Sequence, residues 1–156
     1  MNHLNAEVVG RFDSPGDCNK LLYAPLNASL TFRRTRRYQL EFDGTEEAAI
    51  AFLKRTLVDA VSEDLSTGDA PALDGFRFFI DYGMRPGALD LEKEAIMTSF
   101  KGSRHKDEFN LTKLTIWQRV YIFGNNGDRD GVDSTPFVRD IVNTAIHTWS
   151  VTDAHA

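Results

Sequence analysis

The segment Leu111 to Asn125, LTKLTIWQRVYIFGN, constrains the fold more than any other part of the chain. Leu114, Ile116, Val120 and Ile122 recur at period two, with Thr115, Trp117, Arg119, Tyr121 and Phe123 between them. Such alternation marks a β-strand whose side chains point to opposite faces of a sheet. Aliphatic residues on one face and rings on the other require cover on both sides, because neither row belongs in water.

Other segments supply partners for that strand. AEVVGRF, Ala6 to Phe12, reads as a short strand, and Tyr38, Leu40 and Phe42 share one face of another. In GFRFFIDYG, Phe76, Phe78, Ile80 and Tyr82 share a face while Arg77, Phe79 and Asp81 take the other, which predicts a central strand. A long helix is predicted from Thr45, a good N-cap, toward Gly68, with a stripe of Ile50, Leu53, Leu57, Val61 and Leu65. A shorter helix follows Asp90 and stops near Gly102, carrying Leu91, Ala95 and Ile96. The last helix is predicted from Ser134 or Thr135 through Trp149, on a stripe of Val138, Ile141, Val142, Ala145 and Trp149.

This order predicts a single α+β domain over residues 1–156, with residues 1–30 a strand plus a loosely packed arm. The expected architecture is a two-layer, ferredoxin-like sandwich, an antiparallel or mixed sheet with helices on one face. A small three-layer α/β fold is the alternative, because the strand-helix-strand units can also be parallel crossovers. The stretch MRPGALDLEKEAI, Met84 to Ile96, resembles the strand-to-helix junction of the small subunit of formylglycinamidine ribonucleotide synthetase, a ferredoxin-like protein. The same residues are also ordinary turn and cap chemistry.

Composition narrows the function classes. The 156 residues have a formal net charge of -5, so any attraction to polyanions must come from a local patch. The single cysteine, Cys18, excludes an intramolecular disulfide and a cysteine-rich zinc site within one copy; with no activating neighbour beyond Lys20, it reads as inert. Neither a signal-peptide pattern nor a membrane-spanning apolar run is visible, which leads to the expectation of a cytoplasmic protein without membrane contact.

Three features carry chemical possibilities. GNNGDRDGVDSTPF, Gly124 to Phe137, imitates half of a calcium loop: with Gly131 at position six, Asn126, Asp128 and Asp130 occupy positions one, three and five. Phe137 then stands where the closing carboxylate belongs, so the stretch reads as a polar connector that caps the next helix; no cofactor is expected apart from this weak calcium alternative. FRRTRRYQ sets Arg33, Arg34, Arg36 and Arg37 within five residues, a charged strand end or an anion contact. The third is the face shared by Arg77, Phe79, Trp117, Arg119, Tyr121 and Phe123, an aromatic and basic surface if the two strands are neighbours.

That face has three expected coverings: the N-terminal arm, a second protein surface, or stacked bases. The first expectation is a non-enzymatic interaction or assembly module, docking on itself or another protein through the aromatic face, with the arginine strand end as a further contact. The alternative is single-stranded RNA or DNA binding through the same rings and arginines. A third is a small enzyme with a site in the 103–108 loop around His105, although no two histidines have ligand spacing and no nucleophile motif is present.

Overall fold

The computed structural model of the protein describes residues 1–24, 29–124 and 133–154. Strands β1 (Asn2–Gly10), β2 (Gly16–Asp17), β3 (Thr31–Gly44), β4 (Glu63–Thr67), β5 (Phe78–Met84), β6 (Phe109–Phe123) and β7 (His147–Asp153) form one sheet. Helices α1 (Glu46–Thr56), α2 (Leu91–Lys101) and α3 (Thr135–Ile141) complete an α+β fold. The strand order is β4-β1-β3-β6-β5-β7, with β2 paired to β3. Pairing is antiparallel for β1 with β3 and β4, β2 with β3, and β5 with β6 and β7. The seven strands among the described residues make a larger sheet than the four of a ferredoxin-like βαββαβ unit. Among the described residues, no helix is long and apolar enough to cross a membrane.

The chain divides into two compact units, and β3 and β6 contribute to both. The first comprises Met1–Phe12, Arg36–Ala72 and Leu89–Trp117. Its core joins Leu4, Ala6 and Val8 of β1, which starts at Asn2 rather than at the expected Ala6, to Tyr38, Leu40 and Phe42 of β3, whose alternation is read from the sequence. Phe52 and Leu53 of α1 and Ile96 and Phe100 of α2 pack on that row, with Phe52 edge-on to Phe100 at 5.4 Å between ring centroids. Thr45 caps α1 by accepting from the Ala48 amide at 3.2 Å, and Asp90 caps α2 by accepting from Lys93 at 3.1 Å.

The helix predicted from Thr45 toward Gly68 is half as long. It ends at Thr56, and Glu63–Thr67 is strand β4, with Leu65 opposite Val8. The Asp59 carboxylate draws the amides of Val61 and Ser62 into a turn at 2.9 and 3.3 Å, and Arg36 Nη2 donates to the Leu57 carbonyl at 3.0 Å. Those bonds offer the backbone an alternative to another helical turn, and Val61 of the expected stripe is 74% exposed. In α2, Ile96 and Phe100 are buried while Leu91 and Ala95, expected on the stripe, are exposed.

The second unit comprises Asp13–Thr35, Leu73–Ala88 and Gln118–Ala156. Phe78 and Ile80 of β5, Val120 and Ile122 of β6 and Phe137 and Val138 of α3 form its core. Cys18, Leu22 and Leu30, from the stretch expected as a loose arm, are buried in that core. The last helix is also shorter than the sequence predicts. It ends at Ile141, and Asn143 closes a turn by accepting at its backbone oxygen from Ile146 and His147, at 3.1 and 2.8 Å. Its side chain accepts from Ala145 at 3.1 Å. His147 to Asp153 then extends as β7, opposite β5, with Trp149 facing Tyr82.

Candidate functional site

The rings of β5 and β6 lie together, as their alternation requires: Phe79 faces Tyr121, and Asp81 faces Arg119. Arg119 donates from Nε to Asp81 Oδ1 at 2.6 Å and from Nη2 to Oδ2 at 2.9 Å, a two-point pairing of guanidinium and carboxylate. Its guanidinium lies 4.0 Å from the centroid of the Phe79 ring, and Nη1 donates to the Tyr121 hydroxyl at 3.3 Å. Phe76 packs on Phe79 and Tyr121 at centroid distances of 5.2 and 5.3 Å, and Phe123 on Tyr121 at 6.3 Å.

The result is an interior rather than a surface. Arg119 is 3% exposed and Tyr121 fully buried; Phe79 and Asp81 are buried beside them, and Arg77 and Phe123 half-buried. Phe79, Arg119 and Tyr121 of the expected aromatic face are therefore buried within the chain, and Phe76 packs on two of these rings although the alternation assigned that residue to the opposite row. Asp81 is the partner that sequence reasoning did not assign. Its signal was present, since an acid within an apolar strand and an arginine of matching parity on a second strand invite a buried pair.

In the first unit, Trp117 is half-buried and donates from Nε1 to Gln39 Oε1 at 2.7 Å, with Arg37 5.8 Å from the ring centroid. The arginine run is divided by strand alternation. Arg36 donates from Nη1 and Nη2 to the Glu63 carboxylate at 3.0 and 3.2 Å, and from Nε to the Tyr38 hydroxyl at 3.1 Å. Burial alone would lower the Arg36 pKa, but the hydrogen bonds it donates to Glu63 and Tyr38 outweigh it and raise the value. The bond from Arg36 holds Glu63 below the usual carboxylate range. In the second unit Arg34 is exposed and donates to the Tyr82 hydroxyl at 3.3 Å, while Arg33 is half-buried.

His105 is buried, its ring edge-on to Phe52 at 5.5 Å and its Nδ1 3.6 Å from Glu108 Oε2. The ring is thus packed against Phe52 of α1 and largely closed to solvent. The calcium candidates Asn126, Asp128 and Asp130 lie outside the described residues, and no group of three or more potential metal ligands occurs among the described ones. A shallow polar depression of about 330 Å³ in the first unit is lined by His3, Asn5, Gln39, Glu41, Lys113 and Thr115, and His3 lies 3.8 Å from Glu41.

The remaining feature is β7. It stands at the end of the strand order and pairs with β5 alone among the described strands. Trp149 on this strand is 45% exposed, and Ile146 just before it 43%. Two grooves meet at the indole. One, about 390 Å³, has Val138, Val142, Thr144 and Arg139 in its walls; the other, about 410 Å³, has Arg85, Pro86, His147 and Thr148. Comparison with protein-family models, curated proteins and solved structures returns no match for this chain.

Edge strands ordinarily carry lysines, prolines or other charge that discourages pairing. At the opposite end of the order, β4 has Glu63 and Asp64. β7, HTWSVTD, has neither lysine nor proline, and its one acid is the last residue. Tryptophan, valine and two threonines are residues that pair well across strands. This arrangement is suited to accepting another strand, with specificity from the grooves around Trp149. Sequence reasoning missed it because Trp149 also completed a helical stripe.

Proposed function

We propose that this chain is a non-enzymatic interaction or assembly module that docks by adding a strand at the β7 edge. The carrying observation is Trp149, a large ring nearly half exposed on a terminal strand that lacks protective charge. The contact surface expected on β5 and β6 moves to β7, because the chain buries those rings itself. Within this reading each unit, taken by itself, has helices on its core-facing sheet row, as in the two-layer sandwich expected from sequence. Phe52 and Leu53 of α1 support this in the first unit, and Phe137 and Val138 of α3 in the second.

The test compares wild type with Trp149→Lys by native size-exclusion chromatography of fresh lysate. A lysine at this position restores the usual edge protection and leaves the fully buried core residues untouched. Wild type elutes above the monomer mass of 17.6 kDa, and the variant, still folded by circular dichroism, elutes at it. Wild type at monomer mass, or equal elution of the two above it, overturns edge docking.

A further inference from the structure

We infer that the strand accepted by this edge is β7 of a second copy of the chain, antiparallel and centred on Ser150; this rests on the edge-docking reading above. Backbone directions set the possibilities. Ala154 donates to the Arg77 carbonyl at 3.0 Å and Arg85 donates to the Ile146 carbonyl at 2.9 Å, both continuing the β5–β7 register. Residues of even number in β7 therefore turn their amides and carbonyls toward β5, and His147, Trp149, Val151 and Asp153 turn theirs outward, by the alternation of antiparallel pairs. The His147 groups are already engaged, its amide with Asn143 at 2.8 Å and its carbonyl with Arg85 Nε at 3.3 Å. Trp149 and Val151 are thus the central positions from which hydrogen bonds to a new strand can form.

Centring two antiparallel copies on Ser150 sets Trp149 opposite Val151 of the second copy, twice by symmetry, so these outward groups bond to one another. The same register sets Thr148 opposite Thr152 and His147 opposite Asp153. Each is a favourable cross-strand combination: aromatic with β-branched, threonine with threonine, donor with carboxylate. The Asn143 amide donates to His147 Nδ1 at 3.1 Å, which leaves the Nε2 hydrogen as the donor for that carboxylate. Charge agrees with the register. Arg85, held at this end of β7 by the Thr144 carbonyl at 2.6 Å, brings a cation beside the incoming Asp153. Shifting the centre to Trp149 sets two indoles face to face and leaves Asp153 unpaired; shifting it to Val151 sets Trp149 against Asp153. The Ser150 register alone pairs all seven residues with complementary neighbours, and an isologous contact of this kind closes as a dimer.

Ser150 is exposed and would face its own copy in a non-hydrogen-bonded pair, where Cα atoms approach to about 4.5 Å and a disulfide can close. The purified chain is examined by sedimentation velocity, and Ser150→Cys and Thr148→Cys by mild oxidation; wild type, whose Cys18 is buried, serves as the blank. Expected are a wild-type mass twice 17.6 kDa, its return to monomer mass in Trp149→Lys, and covalent dimer from Ser150→Cys but not from Thr148→Cys. If Ser150→Cys fails to fold, Thr148→Cys mixed with Thr152→Cys reports the same register by cross-linking only in the mixture. A dimer that cross-links in neither arrangement overturns the register. Purified wild type that remains monomeric, together with no covalent dimer from Ser150→Cys or from the Thr148→Cys and Thr152→Cys mixture, overturns the second copy as occupant; edge docking then stands or falls separately on the lysate comparison.

Discussion

Arg119 and Asp81 face each other across β6 and β5 as a buried two-point ion pair, with the Arg119 guanidinium 4.0 Å from the centroid of the Phe79 ring. Removing one partner strands a charge in the interior, which typically costs about 3–5 kcal/mol. Asp81→Ala is expected to lower unfolding stability by about that amount in urea titration. A double replacement, Asp81→Leu with Arg119→Met, is expected to recover most of the loss, because a buried pair rarely exceeds well-packed apolar groups in stability. A single variant within about 1 kcal/mol of wild type would show that the pair is not sealed.

Glu63 gives a pH-dependent counterpart in the first unit. Its hydrogen bond from Arg36 depresses its pKa from the ordinary 4.5, against the opposing effect of burial. A group whose folded pKa is depressed contributes stability that is present above its unfolded pKa and lost as pH falls through the folded one. Glu63→Gln is therefore expected to cost about 1 kcal/mol at pH 7, since both side chains are partly open to water. The difference should shrink as pH is lowered past 4.5. Chemical unfolding of both forms from pH 7 to pH 3 measures it, and a constant offset across that range would remove the assigned cause.

Much of this fold is legible in local pattern. The alternation along β6 and the caps at Thr45 and Asp90 predict elements that the structure contains, because they depend on residues close in sequence. Two strands are hidden inside apparent helices. Leu57, Val61 and Leu65 repeat at helical spacing, as do Val142, Ala145 and Trp149, yet Asp59 and Asn143 draw nearby amides into turns. The pairing that selects β4 and β7, Leu65 with Val8 and Trp149 with Tyr82, joins residues far apart in the chain. The candidate surface fails for a similar reason. Alternation states that Phe79, Arg119 and Tyr121 share a face, but not that all three are buried there, with Phe76 packed on two of the rings from outside the predicted row.

Gly44 closes β3 just before the Thr45 cap, at a φ of +124°, a backbone conformation available mainly to glycine. A Cβ there would lie 2.7 Å from the Phe109 Cβ and 3.0 Å from its Cα. Gly44→Ala combines backbone strain with an overlap against β6 that no side-chain rotation relieves. The expected loss is about 1–3 kcal/mol by thermal or urea unfolding. A variant as stable as wild type would mean that the β3 to α1 corner yields without strain.

Cys18 tests the packing of the stretch between β1 and β3. Its thiol is buried against the second core, and burial first, with the Asp17 carboxylate adding to it, pushes its pKa up to about 12. The thiolate is the reacting species, so at pH 8 both access and ionisation oppose modification. A thiol reagent is expected to label the native protein only as fast as the second unit opens, and to label it at once in strong denaturant. The labelling rate should therefore become independent of reagent concentration at high reagent, where opening limits it. Rapid labelling proportional to reagent concentration, at the rate of a free cysteine, would place Cys18 outside the core and the stretch around it in solvent.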